Sequence, residues 1–454
     1  MNFEHRFIPN TESDRVSLLK ACGVDSIEKL LVGIPSDVRL KGALENGPAL
    51  SEMEIKKRIQ NIMRQCRYMR GSLSFIGAGI YDHYCPAAVN QLTLRGEFLT
   101  SYTPYQPEMS QGTLQALFEF QTMVAELFGM EVSNASHYDG STSLAEAALM
   151  AMRLKKDKKR ILVSQGVHPE YINVMKTYLT NLGVELSTVP LTENGTTSET
   201  ALKSLLVDDV MGFVCQSPNF MGVVENQQNL SEITKSKNAL YISNVTEPLS
   251  LGLLKPPGDF DADIATGEGQ SFGLPQSFGG PYVGLFTAKA EYVRQMPGRL
   301  CGETVDAQNR RSYALTLSTR EQHIRREKAT SNICTNQNLF ALWGSIWLAM
   351  TGKQGFKILA EQNLAKAEFA KDIIQKTGKA KLRYSKSATF NEFVIELATP
   401  AAEFARKAIA RGIAPGLVLE RFYSDDKTGI LVAVTEQKSR EDIESLALAI
   451  KELA

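Results

Sequence analysis

The chain contains, at residues 161–164, the stretch Ile161-Leu162-Val163-Ser164, and a helix-like stretch from Pro169 to Asn181 follows it. Short apolar stretches of the same kind recur at Val184 to Val189, Gly212 to Cys215, Ala239 to Ile242, Asp263 to Thr266 and Val283 to Phe286. Short apolar strands that are separated by helices predict a mainly parallel sheet with helices on both faces. The sequence therefore predicts an α/β fold for its central part.

The segments that flank this central part differ from it. Residues 1–71 are mostly helical and polar, with Ser51 and Glu54 at capping-box spacing. We predict an N-terminal helical arm (1–71), a large domain (72–335), connecting helices (336–379) and a small C-terminal α/β domain (380–454). Trp343 and Trp347 share a face of the connecting helices, which favours core packing. The arm is either a plain surface helix or an oligomer contact.

The composition is that of an ordinary globular protein, with 43% hydrophobic and 22% charged residues. Lys plus Arg (50) equals Asp plus Glu (50), so the chain has no overall field that would attract nucleic acid or an anionic membrane. Leu339 to Met350, the most apolar stretch, is about half of the roughly 20 residues that a membrane span needs. No signal peptide is visible in Met1 to Asp14, and the six cysteines form no C-x-x-C pair. We therefore expect reduced thiols and a cytoplasmic location.

Residues that follow the strands are the first candidates for a site, because ligands bind at the carboxyl ends of parallel strands. Asp139-Gly140-Ser141-Thr142-Ser143 leads into an Ala-rich helix. It is either a phosphate site or, as the local pattern favours, plain N-capping by Ser141 or Thr142. His168 either stacks on a planar cofactor ring or is a hydrogen-bonded loop histidine. The remaining histidines lack metal-ligand spacing, so no metal site is predicted.

Two further polar segments stand out. Two prolines hold the segment Ser101-Tyr102-Thr103-Pro104-Tyr105-Gln106-Pro107-Glu108 extended, and it either lines a pocket or packs between domains. The charged run from Ser318 to Lys328 is either a solvated helix face with i,i+4 pairs or a basic lip that meets an anionic group. Gly77 and Gly79 lack the third glycine of a dinucleotide fingerprint, which disfavours NAD binding.

The loop Gln270-Ser271-Phe272-Gly273 follows the strand that begins at Asp263. In a pyridoxal-phosphate (PLP) enzyme of this architecture, the Schiff-base lysine lies in this loop. The only lysine between Lys237 and Lys289 is Lys255. It lies in a turn before the strand, at the wrong end for the cofactor, and such a turn favours a surface role.

Together, these stretches resemble the P-protein (glycine decarboxylase) family of the glycine cleavage system. The resemblance runs over most of the chain. In this family the P-protein is one long chain of two similar halves or two separate subunits. Both halves have the PLP-dependent transferase fold (fold type I), and only the second half carries the lysine. The matching stretches are Ser101 to Glu108, Asn134 to Ser136, Leu254 to Gly258, Gly279 to Pro281, Met296 to Arg299, Thr319 to Arg326 and Lys328 to Thr335.

The resemblance implies that this chain is the first half, as a separate subunit 1. Gln270 stands where the lysine loop would be, and Ser243-Asn244 ends the strand whose aspartate normally pairs with the pyridine nitrogen. No covalent cofactor is therefore expected on this chain, and PLP belongs to a subunit 2. The implied reaction is decarboxylation of glycine and transfer of the aminomethyl group to the lipoyl arm of the H-protein, in a heterotetramer with two copies of each subunit.

The resemblance also predicts residues at the interface of the active site. One group forms a wall of the pocket and consists of Tyr102, Tyr105, Gln106 and Glu108. The other is the basic run, which meets a phosphate or the acidic H-protein and includes Arg320, His323 and Arg325. Two alternatives are open: an independent aminotransferase-like PLP enzyme that uses another lysine, and a non-catalytic scaffold. The first would be yellow when purified alone, and the second would leave the glycine turnover of a partner unchanged.

Overall fold

The computed structural model describes residues 10–42, 44, 46–66, 73–99, 102–333 and 335–454. The chain divides into two compact units, Met1–Met69 and Arg70–Ala454. Some features of the sequence analysis lie outside the described residues: residues 1–9 of the segment from Met1 to Asp14, Ser101, one of the six cysteines (Cys334) and the predicted boundary between residues 71 and 72.

In its described part, the first unit consists of the helices α1 (Glu12–Ala21), α2 (Ile27–Leu30) and α3 (Glu52–Gln65). The capping box predicted at the start of α3 is confirmed: Ser51 N–H donates to Glu54 Oε2 at 2.8 Å, and Ser51 Oγ accepts from Glu54 N–H at 3.4 Å. No residue of these three helices is buried. Capping boxes begin α1 and α3, and exposed ion pairs four residues apart join Lys29 to Asp25 and Lys56 to Glu52.

The second unit contains the remaining helices and strands. Its helices are α4 (Ala87–Thr93), α5 (Gly96–Leu99), α6 (Gln111–Phe128), α7 (Gly140–Leu154), α8 (Pro169–Leu179), α9 (Glu199–Leu205), α10 (Gln227–Lys235), α11 (Gln322–Arg325), α12 (Asn338–Lys376), α13 (Ala401–Ala410) and α14 (Arg440–Leu453). Its strands are β1 (Leu73–Ser74), β2 (Val132–Ser133), β3 (Arg160–Ser164), β4 (Glu185–Val189), β5 (Val210–Gln216), β6 (Leu240–Val245), β7 (Ile264–Glu268), β8 (Gly284–Ala288), β9 (Leu300–Val305), β10 (Arg311–Thr316), β11 (Ala380–Leu382), β12 (Glu392–Leu397), β13 (Ile413–Ala414), β14 (Leu417–Val418) and β15 (Gly429–Ala433).

A seven-stranded sheet with the order β2-β8-β7-β6-β5-β3-β4 forms the large domain. Strands β3 to β7 run parallel, whereas β8 is antiparallel to β7 and β2 is antiparallel to β8. Helices α6, α9, α10 and the first half of α12 bury one face of the sheet, and α7 and α8 bury the other. The predicted α/β fold with a mainly parallel sheet is therefore confirmed. Strands β3, β5 and β6 are almost wholly buried, which explains their continuous apolar runs.

The small domain is an antiparallel sheet with the order β11-β12-β15-β14, covered by α13, α14 and the second half of α12. Helix α12 joins the two domains and is interrupted at Gly352 (φ 62°, ψ 173°). Strand β1 pairs with β13, and Phe75 exchanges backbone hydrogen bonds with Ala414 and Ala433. Residues 73–75, which the sequence analysis assigns to the large domain, thus lie against the small one.

Both tryptophans of α12 pack as predicted. Trp347 is buried and stacks on Phe272, with ring centroids 6.0 Å apart. The half-buried Trp343 donates from Nε1 to the carbonyl of Gly273 at 2.8 Å. None of the helices in the described part of the chain is both long enough and apolar enough to cross a membrane.

A buried ion cluster around His83 ties the two domains together. His83 Nε2 lies 2.9 Å from Glu247 Oε2 in the large domain, and His83 Nδ1 lies 2.8 Å from Glu436 Oε2 in the small domain. The amides of Asn363 and Asn391 donate to the same two carboxylates. Burial acts to lower the pKa of His83, but the two carboxylates outweigh it and raise this pKa to about 10. The imidazolium therefore stays charged at neutral pH.

Candidate functional site

Gln270 is buried just after the carboxyl end of β7. Its side-chain amide donates to the carbonyls of Tyr81 (2.9 Å) and Leu274 (2.7 Å), and its Oε1 accepts from Tyr81 N–H at 2.9 Å. Only 1% of Gln270 is exposed. The neutral side chain at the predicted lysine position is thus fixed by main-chain groups of a distant segment. Lys255, by contrast, is exposed in the turn before β7.

His168 contacts the same distant segment. Its Nε2 lies 3.0 Å from the carbonyl of Ala78, and its Nδ1 accepts from Glu170 N–H at 3.1 Å. Nδ1 is thus an acceptor, and Nε2 carries the proton. A side chain on Gly79 (φ +91°) would place its Cβ 3.3 Å from His168 Cδ2, so the main chain runs directly beside the ring. Burial lowers the pKa of His168. His168 is therefore a hydrogen-bonded loop histidine at the start of α8, and the ring of Tyr171 stacks on it with ring centroids 5.0 Å apart.

The start of α7 is capped by a residue that the sequence analysis did not choose. Asp139 Oδ1 accepts from Thr142 N–H and from Ser141 Oγ, both at 2.7 Å. The predicted capping by Ser141 or Thr142 is wrong, because the carboxylate of Asp139, two residues before Ser141, already accepts from the third helical amide. Gly140 N–H, at the start of the helix, donates instead to Glu268 Oε2 at 2.9 Å.

Glu268, at the end of β7, receives two more main-chain hydrogen bonds. Its Oε1 accepts from Gln270 N–H at 3.0 Å and from Val283 N–H at 3.3 Å. Burial raises the pKa of Glu268 to about 8, and the hydrogen bond from Gly140 offsets only part of that effect. The carboxyl group thus fills the space in front of the first turn of α7.

Neutral amides fill the end of β6. Asn244 Oδ1 accepts from Thr266 Oγ1 at 2.9 Å, and its Nδ2 donates to Gln216 Oε1 at 3.3 Å. Gln216 Oε1 also accepts from His168 N–H at 3.0 Å. The residue at the position predicted for the aspartate, Asn244, thus has a neutral, hydrogen-bonded side chain. The described residues also contain no group of three or more His, Cys, Asp or Glu side chains placed to hold a metal ion.

A second polar group lies around Arg299, and it joins two of the predicted segments. The Arg299 guanidinium lies 5.4 Å from the centroid of the Tyr105 ring, and its Nη2 is 3.5 Å from Tyr105 Oη. Nη1 donates to Thr103 Oγ1 at 3.3 Å, and Nε is 3.8 Å from Glu321 Oε2. Arg299 is only 3% exposed, whereas Tyr105 is 61% exposed. A buried arginine thus contacts an exposed tyrosine.

The other predicted residues of the 102–108 segment are all exposed. Tyr102 is 77% exposed, and its carbonyl accepts from the side-chain amide of Asn338 at 3.1 Å. Gln106 and Glu108 are exposed at a short helical turn, Pro107–Met109. The segment therefore presents its polar side chains outward, on one side of α12.

The predicted basic run divides into inward and outward residues. Arg320 is buried and donates to the carbonyls of Met296 and Gly298, so its guanidinium is not part of an exposed lip. His323 and Arg325 are exposed, and His323 Nδ1 lies 3.7 Å from Glu321 Oε2. The segment forms short turns and the four-residue α11, so the interpretation as one solvated helix face is wrong.

Sequence reasoning missed Arg299, Glu321 and Glu268 as parts of a site. Arg299 belongs to a stretch that carries the family resemblance, but a single arginine after a glycine has no distinctive spacing. Glu268 stands inside an apolar strand pattern and two residues before Gln270. A charged residue that ends a buried strand was the available signal, because burying a carboxylate demands nearby donors.

Comparisons with solved structures define the class of protein. The chain resembles a glutamate decarboxylase from Lactobacillus brevis (TM-score 0.68, 12% identity, 94% of this chain and 97% of that chain) and a NifS-like protein (TM-score 0.62, 14% identity, 84% and 98%). At these identities the likeness concerns the fold alone. The fold is that of the PLP-dependent transferases of fold type I, as predicted.

The particular family follows from closer relatives. A family model described as glycine cleavage system P-protein matches residues 5–450. Proteins from Brevibacillus brevis (46% identity) and Listeria monocytogenes (45%), named probable glycine dehydrogenase (decarboxylating) subunit 1, align over 99% of this chain and 99% of their own length. An inhibitor-bound crystal structure of a glycine decarboxylase (P-protein) matches with a TM-score of 0.86 and 39% identity over 99% of this chain and 100% of that chain. The chain belongs to the P-protein family of the glycine cleavage system.

Proposed function

We propose that this chain is subunit 1 of glycine dehydrogenase (decarboxylating). Together with a PLP-bearing subunit 2, in a complex with two copies of each, it decarboxylates glycine and passes the aminomethyl group to the lipoyl arm of the H-protein. Full-length similarity to relatives of that name supports the assignment. The observation that carries it is Gln270, whose amide is bonded on both sides to Tyr81 at the position of the missing lysine.

The buried residues at the carboxyl ends of β6 and β7 do not fit PLP. A Schiff base needs a lysine amine, and Gln270 has none. The ring nitrogen is normally paired with an acid, and Asn244 offers an amide already bonded to Gln216 and Thr266. An anionic phosphate would meet the carboxyl group of Glu268. All three mismatches support the proposal that the cofactor is held by the partner subunit.

Substituting Gln270 with lysine is therefore expected not to create a cofactor site. Lysine has no oxygen to accept the hydrogen bond from Tyr81 N–H that Gln270 Oε1 accepts, and no acid would face the pyridine nitrogen. We expect the purified variant, mixed with PLP, to show no aldimine absorbance that survives gel filtration. Wild-type chain treated in the same way is the control. A yellow colour that is retained at one PLP per chain would contradict the proposal that the residues around Gln270 do not fit PLP.

We further propose that the exposed residues of the 102–108 segment form part of the wall of the active site that subunit 2 completes. Tyr105 carries a phenolic hydroxyl on a ring that Arg299 holds in place. Gln106 and Glu108 add exposed polar groups on the same short segment. Exposed tyrosines are suited to a pocket that two subunits share, because tyrosine combines a large contact area with a hydroxyl group that can form a hydrogen bond. His323 and Arg325 are candidate contacts for the acidic H-protein.

Changing Tyr105 to phenylalanine tests this wall. The change removes one hydroxyl and keeps the ring that contacts Arg299. We expect kcat/KM for glycine to fall about tenfold in the reconstituted complex, as loss of one hydrogen bond of about 1.4 kcal/mol predicts. Tyr102→Phe and Glu108→Gln extend the test along the segment. Tyr292→Phe is the matched control, because that half-buried ring lies beside Lys289 and Asp263, at the opposite end of the sheet. If none of the three wall variants alters turnover, the proposed wall is wrong.

A further inference from the structure

The first turn of α7 has the features of an anion subsite, yet an acidic side chain of the same chain lies in it. The free N–H groups at the start of a helix carry partial positive charge and favour a phosphate group. Here Gly140 N–H donates to Glu268 at 2.9 Å. Ser143, in the same turn, is buried, and its Oγ has no hydrogen-bond partner among the described residues. Because Asp139 already accepts from Ser141 Oγ and Thr142 N–H, the donors that this turn offers to another group are Gly140 N–H and the Ser143 hydroxyl.

The backbone around Glu268 is shaped for a group with several oxygen atoms. Gln270 and Val283 donate from two other segments to the same carboxyl group, which is 1% exposed. Three backbone N–H groups from separate segments thus converge on one carboxyl group, and convergent N–H donors favour a bound anion. Gly140 permits this close approach, because a Cβ there would lie 2.5 Å from Tyr171 Oη and 3.0 Å from Glu268 Cβ.

We propose that the Glu268 carboxyl group occupies an anion subsite at the start of α7 as an internal substitute for a ligand, so that removing it opens a site for a phosphate group. This proposal concerns the folded chain itself and does not rest on the glycine reaction, so each proposal can fail without the other.

The test is the thermal stability of the full chain with Glu268→Ala, measured in phosphate-free buffer and then with increasing inorganic phosphate. The removed atoms are about as bulky as a phosphate ion. We expect a lower unfolding midpoint than in the wild type and a saturable recovery of about 3 °C as phosphate reaches millimolar concentrations. Sodium chloride at the same ionic strength should give no such recovery.

Glu225→Ala is the matched control. Glu225 is also buried and also accepts a backbone N–H, from Thr197 at 2.9 Å, but it does not face the start of α7. Glu225→Ala and the wild type should show only the small general stabilisation that phosphate gives to any protein surface. Glu268→Gln keeps the volume of the side chain, so phosphate should not raise its unfolding midpoint by more than it raises that of the wild type.

A phosphate response of Glu268→Ala no larger than that of Glu225→Ala overturns the proposal. If Glu268→Ala does not fold in phosphate-free buffer, its refolding yield is compared with and without phosphate. A yield that rises selectively with phosphate supports the proposal, and failure in both buffers contradicts it.

Discussion

Replacing His83 with alanine is expected to destabilise the chain by about 3–5 kcal/mol, the usual effect of removing one partner from a buried ion pair. The change leaves the carboxylates of Glu247 and Glu436 buried without their shared cation. Because one carboxylate belongs to each domain, we expect the midpoint of denaturant unfolding to fall and the small domain to separate first. The measurement is urea unfolding followed by circular dichroism. His323→Ala, in an exposed histidine, is the control and should change the midpoint little.

The same cluster predicts a pH dependence with a definite sign. The folded-state pKa of His83, about 10, lies above its ordinary value of 6.5. The contribution of the charged His83 to the unfolding free energy is therefore complete below about pH 6.5. It decreases as the pH rises from about 6.5 to about 10 and is lost above about pH 10. The difference in unfolding free energy between wild type and His83→Ala should narrow over this range. A difference under about 1 kcal/mol at pH 6, or one that grows with pH, would contradict the assigned charge.

Replacing Arg299 with alanine is expected to lower kcat/KM for glycine by about a hundredfold in the complex with subunit 2, equivalent to about 2.7 kcal/mol. Arg299 is a positioning residue in this account: it holds the Tyr105 ring and Thr103 while facing Glu321. Without it, the exposed tyrosine loses its fixed orientation. The Arg299→Lys variant should recover little of the lost kcat/KM, because a lysine ammonium group lacks the planar guanidinium that contacts several groups at once.

A matched control separates positioning from general destabilisation. Arg311 also lies over a tyrosine ring, 5.3 Å from the centroid of Tyr313, but it is exposed and pairs with Glu303. Arg311→Ala should leave glycine turnover nearly unchanged. Subunit association and the unfolding midpoint of Arg299→Ala are measured alongside the kinetics. If Arg299→Ala behaves like Arg311→Ala in turnover, Arg299 does not position the wall.

The sequence predicted the elements whose pattern is local. The strands at β3, β5, β6 and β7 are short buried runs, and such runs are visible without any tertiary information. The β9–β10 hairpin was not predicted, because its exposed half is polar and its residues do not alternate clearly. The connecting helices predicted at 336–379 correspond to α12, Asn338–Lys376, and the four-residue spacing of its tryptophans correctly predicted that they pack in the core.

The site was predictable only in part, because its contacts join distant segments. Tyr105 was identified from its own unusual segment, but its partner Arg299 lies 194 residues away. Two of the hydrogen bonds that hold the Gln270 side chain join it to Tyr81, which is 189 residues away. The sequence therefore indicated that the lysine is missing, and the structure adds which main-chain groups take its place.

The central claim is that this chain completes the active site of a PLP-bearing partner. The most direct measurement is glycine–bicarbonate exchange with lipoylated H-protein, using subunit 2 alone, this chain alone and the two co-expressed. We predict exchange only when both subunits are present, and a marked loss when the chain carries Arg299→Ala. Equal exchange by subunit 2 with and without this chain, or exchange by this chain alone, would contradict the account.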